Sequence, residues 1–163
     1  MGVEETRPVI SFFREAAPAV VASALFALLH HVSSERFISA SMQFDYAIQD
    51  WYHSSPAVEF WHGAVWIFIG VAIALALGST SQSIKIAVLR GLFFGFFAPF
   101  FGMLFLNLDA FTDASSFWWL VLALPISLTF GFAPAAAAAV LSAAGFGGKY
   151  FLEKKKTDSE NII

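Results

Sequence analysis

The chain has no cysteine, which removes thiolate metal sites, disulfide relays and cysteine nucleophiles together. Charge is scarce too. Asp, Glu, Lys and Arg make up 13% of the 163 residues, against roughly a quarter in a soluble domain. No histidine occurs beyond His62, so the second half of the chain lacks the commonest general base. The formal net charge is −3, and no nucleic-acid partner is expected.

Apolar residues, by contrast, reach 58%. They collect in four stretches: 16–33, 57–77, 87–107 and 117–141, the last with Phe146 as its furthest limit. About 20 apolar residues at 1.5 Å each cross the roughly 30 Å hydrocarbon layer. The fold class this predicts is an all-α integral membrane bundle of four transmembrane helices. A leader (1–15), a four-span domain (16–148) and a charged tail (149–163) divide the length. Over these 163 residues no soluble catalytic domain is expected.

The cations set the orientation. Arg7 and Arg14 precede the first stretch, Lys85 lies between the second and third with Arg90 at the near end of the third, and Lys149, Lys154, Lys155 and Lys156 come after the fourth. Among the nine cations, Arg36 alone falls in the other two connections. Loops rich in Lys and Arg stay in the cytoplasm, so both termini are expected there, in a bacterial inner membrane. The first stretch is longer than the apolar core of a signal peptide and reads as a retained span. In the first external connection, Phe37, Ser41, Phe44, Ile48 and Trp51 recur at helical spacing. That pattern predicts an amphipathic interfacial helix. The tail after Lys149 is expected to be disordered.

Small residues mark a packing face. Gly91, Gly95, Ala98 and Gly102 succeed one another at spacings of four, three and four, and Gly70 and Ala74 offer a matching face on the second span. In lipid, small faces let helix backbones approach closely. The phenylalanines around them can meet lipid or a partner's groove.

The candidate chemistry lies on the external side, with His30, His31, His53 and His62. Asp50 with His53, and Glu59 with His62, each set a carboxylate three residues before an imidazole. On a helix such a pair shares a face, and Glu-x-x-His spacing serves carboxylate-bridged metals in helical bundles. A transition metal is one reading. A b-type haem between His62 and His30 or His31 is another. Interfacial anchoring by amphipathic rings is the third and the one preferred, so no cofactor is expected. The middles of the second and fourth stretches hold no ionisable residue, which weighs against a proton-coupled transporter acting alone.

Asp45-x-x-Ile48-x-x-Trp51, followed by Ser55-Pro56 and an apolar span with Gly70, resembles the amino-terminal part of the membrane phosphatidic acid phosphatase-like family. It covers about thirty residues. That family's catalytic pattern, a Lys…Arg-Pro, a Pro-Ser-Gly-His and a Ser-Arg…His, is absent, so the resemblance carries no activity over.

The expected role is a non-enzymatic accessory or interaction subunit of a membrane complex, in contact with lipid and with a membrane protein or a second copy of itself. A metal- or haem-binding protein and an oligomeric transporter or channel protomer are the alternatives.

Overall fold

The computed structural model describes residues 6–45, 56–106, 125, 129 and 131–160. They form four helices: α1 (Thr6–Asp45), α2 (Pro56–Ser79), α3 (Ile84–Leu106) and α4 (Phe132–Glu160). Each contains a segment long and apolar enough to cross a membrane: Phe12–Ser34, His62–Ser79, Ile84–Phe105 and Phe132–Asp158. The protein is all-helical with four candidate membrane spans.

Local chemistry places the helix ends. Pro56 opens α2, where its missing N–H costs no helical hydrogen bond. At the other end, the Thr80 amide donates to Ala76 O and the Ser81 amide to Gly78 O, closing a tight turn. Ser83 then caps α3. Its hydroxyl accepts from the Ile86 amide at 3.3 Å and its carbonyl from the Ala87 amide at 2.9 Å, the N-cap arrangement. Gly131 plays the corresponding part for α4, accepting from the Ala135 amide. Pro134 falls in that first turn, where proline is tolerated.

The sequence placed two boundaries elsewhere. α1 runs unbroken from Thr6 through Ser34 to Asp45, so the leader's second half and the start of the first connection belong to one helix. Of the residues read as a separate interfacial helix, Phe37, Ser41 and Phe44 fall inside α1, and Ile48 and Trp51 lie outside the described residues. The fourth stretch differs at its C-terminal end: its described helix, Phe132–Glu160, continues through Lys149, where the sequence predicts a disordered tail. Glu and Lys are good helix formers, and extending an existing helix needs no new nucleus. A Lys149–Glu153 ion pair at 3.9 Å spans one turn of this extension. Most of the stretch 117–130, with Trp118 and Trp119, lies outside the described residues.

Around the bundle the order is α1, α3, α4, α2, with α1 and α4 diagonal to each other. The tightest approaches involve α4. A Cβ on Gly91 would stand 2.5 Å from Ala139 Cα, and one on Gly95 the same distance from Ala135 Cα. Gly78 of α2 meets the Ser142 backbone, and Gly145 of α4 meets the Leu75 backbone. Thus the α3 small face packs on the alanine run of α4 rather than on Gly70 and Ala74. Alanines project no further than one methyl, so that run admits two neighbouring backbones at once.

Buried serines tie the same region. Ser142 Oγ donates to Ala74 O at 2.7 Å, joining α4 to α2. Ser23 Oγ is shared between its own-helix Ala19 O at 2.7 Å and Phe94 O at 3.1 Å, joining α1 to α3. Near the α2–α3 turn, Arg90 is buried. Its Nε donates to Glu15 O at 3.0 Å, Nη2 to Glu15 Oε2 at 3.1 Å and Nη1 to Ser81 Oγ at 3.4 Å. One guanidinium therefore locks α1, α3 and the turn together, using the fork of donors that lysine lacks.

Candidate functional site

Away from the Arg90 lock the helices part. A cleft of about 640 Å³ lies among all four described helices, with Ala74, Phe94 and Leu141 toward one end and His30, His31 and Ser34 toward the other. Along α2 it extends from Gly63 to Ala74, about 16 Å at the helical rise. Its opening comes from side-chain size. Ala98, Gly102, Gly63 and Gly70 line it, and a Cβ on Gly63 or Gly102 would meet nothing within 4 Å. Gly70 faces the Phe26 ring at 3.7 Å, and Ala74 is almost fully buried. The predicted small face is thus divided. Gly91 and Gly95 make close contacts with α4, while Ala98 and Gly102 border space.

Aromatic rings shape the wall. Phe26 meets Trp66 and Phe94 edge to face, with centroids 5.5 and 5.7 Å apart. Such pairs stabilise by roughly 1 kcal/mol each beyond the area they bury, and these fix the positions of α1, α2 and α3 about the cleft. His30 continues the cluster, 5.1 Å from Trp66 and 5.9 Å from His62.

The histidines meet across α1 and α2. Trp66 Nε1 lies 3.3 Å from His62 Nε2 and donates to it. An indole N–H can only donate, so Nε2 carries the lone pair and the proton of a neutral ring resides on Nδ1. The Ser33 hydroxyl approaches the same nitrogen at 3.4 Å. A metal or haem iron at Nε2 would have to displace both donors. Among the described residues, no three His, Asp or Glu side chains converge as a metal site would require. The Glu59 side chain, with Asp50 and His53, falls outside what the structure describes. The pairing within each Glu/Asp-x-x-His motif therefore lies outside the described residues, whereas the pairing of His30 with His62 between helices lies within them.

A second surface lies on another side of α3. Phe93, Phe97, Phe101 and Phe105 stack in succession at 5.7, 6.0 and 6.3 Å, with interplanar angles of 27°, 33° and 22°. The spacing of four residues aligns the rings along one face. Phe12 of α1 caps the column at Phe93, 5.6 Å away. Beside it, Leu92, Phe96, Phe132 and Ala135 complete a shallow apolar groove between α3 and α4, about 430 Å³ in volume.

Several of these residues carry no signal in sequence. Glu15 is one acid among twelve, and Gly78 and Ser81 read as ordinary turn residues. Gly145 could have been found as the small position three after Ser142 on one α4 face. Compared with protein-family models, with curated proteins and with solved structures, the chain matches none.

Proposed function

We propose that the protein is a small multi-pass subunit of a bacterial inner-membrane complex. It carries no catalytic step of its own and acts by packing against another membrane protein or a second copy of itself. The observation that carries this reading is the phenylalanine column on α3 with the groove beside it. Lipid alone asks of a surface only that it be apolar, whereas an aligned ring column beside a groove offers shape to a facing helix. In lipid, helices associate through such packing.

Both termini are assigned to the cytoplasm, on the distribution of cations. The continuous basic end of α4, with Lys149, Lys154, Lys155 and Lys156 exposed, then projects from the inner face. The histidine end faces outward, and His30, His31 and His62 act there as amphipathic anchors. Occupation of His62 Nε2 by Trp66 and Ser33 favours anchoring over the metal or haem alternative. A transporter or channel protomer would need a path past the Arg90 lock and the close contacts of α4, hence a pore between copies.

Purification in mild detergent tests the reading. A stable particle with one partner, or a second copy, at fixed ratio and without bound metal or Soret absorbance is expected. A lone monomer overturns the interaction role, and stoichiometric metal or haem replaces it with the cofactor reading.

A further inference from the structure

The cleft has a polarity pattern that the proposed packing role does not use. Its body is apolar and its polar groups gather at one end, as His30, His31 and Ser34. About 640 Å³ falls within the range of small-molecule sites, which are apolar with a few placed polar groups. We propose that this cleft binds a neutral lipophile with an oxygen-bearing head. The head accepts hydrogen bonds from His30 and Ser34, and the apolar part lies toward Ala74 and Leu141.

Three observations determine that chemistry. No Lys or Arg is among the described lining residues, so a carboxylate or phosphate head would enter an apolar site without a fixed countercharge, which is costly. Phe26, Trp66 and Phe94 hold one another edge to face, presenting a preformed wall rather than one that must collapse. Among the described helices, the neighbouring pair α1 and α2 touches least and is joined at the cleft by ring contacts, so a molecule dissolved in the bilayer would enter between them. Ring ketones and glycerol esters share the required head: uncharged, with a carbonyl oxygen. They differ in the skeleton that bears it, a flat ring in one and a flexible acyl chain in the other.

Thermal unfolding in detergent separates these sources and tests the site. The probes are a decyl-substituted benzoquinone, dioctanoylglycerol and, as the charged control, decanoate. At about a hundredfold excess over Kd, a binding probe should raise the midpoint by roughly 5–10 °C. A rise with the quinone alone identifies a ring ketone, a rise with the glyceride alone identifies an ester, and a rise with both identifies the shared carbonyl. Gly102→Phe should abolish the response by filling the cleft, and its Cβ meets no atom within 4 Å. Gly63→Leu, equally free of contacts, serves if that variant does not fold. His30→Phe with Ser34→Ala should weaken the probe about tenfold while keeping the ring packing. The proposal is overturned if neither neutral probe moves the midpoint, if decanoate moves it equally, if the filled variant responds like the wild type, or if the head variant binds as tightly.

Discussion

Gly95→Leu should lower the detergent melting temperature sharply or prevent accumulation, whereas Phe96→Leu should be tolerated. The Gly95 position faces the Ala135 backbone, which cannot rotate aside as a side chain can, so the helices must separate. Overpacking typically costs about 1–3 kcal/mol, and a backbone clash belongs at the upper end. Equal tolerance would show that α3 and α4 are not in close contact. At the opposite side of α4, Gly78→Val should behave like Gly95→Leu, for the same reason. A second residue-scale expectation concerns Arg90. Arg90→Leu should cost more than Glu15→Gln, by about 1–2 kcal/mol, because the first removes all three guanidinium bonds at once and leaves the half-buried Glu15 carboxylate with only the exposed Arg14 beside it. The second keeps the bonds to Glu15 O and Ser81 Oγ. Chemical denaturation of both variants compares them, and equal losses would reduce the guanidinium to a simple charge partner. The importance of Gly95 was visible in the sequence through its spacing. That of Glu15 was not, because it depends on a partner 75 residues away that no local pattern encodes.

At the level of elements, hydropathy located all four helices, since a membrane span has to be continuously apolar. The described α1 and the C-terminal end of α4 run past the predicted spans, because helices outlast the bilayer wherever the flanking residues propagate them. The partner of the α3 glycines was also not legible. A small face announces close approach but not to whom, and from spacing Gly70 with Ala74 served as well as the alanines of α4. Lys154→Pro tests the extension of α4. Proline in a helix interior costs about 3 kcal/mol locally, yet residues 149–158 are exposed. Circular dichroism should show reduced helicity with the bundle's melting midpoint unchanged. A lowered midpoint would mean that the extension contributes to the packed bundle.

For the whole molecule, the cation distribution makes a topological statement that helix packing alone does not. A reporter active only outside the cytoplasm should be silent after Ile163 and active near Ser55, and the reverse pattern would invert the membrane orientation. The histidine cluster illustrates what sequence can and cannot convey at this scale. The i, i+3 motifs drew attention to Glu59 with His62, while the contact made by His62 in the described structure is with Trp66 and α1, which depends on how two spans lean together. The proposed subunit role is tested most directly by a photo-crosslinking amino acid at Phe97, in the phenylalanine column, compared with one at Phe68, exposed on α2. Irradiation in intact membranes should yield one discrete adduct from position 97, to a single partner or to a second copy, and none from position 68. No adduct at 97, or the same diffuse products from both positions, would contradict a docking role for the α3 column.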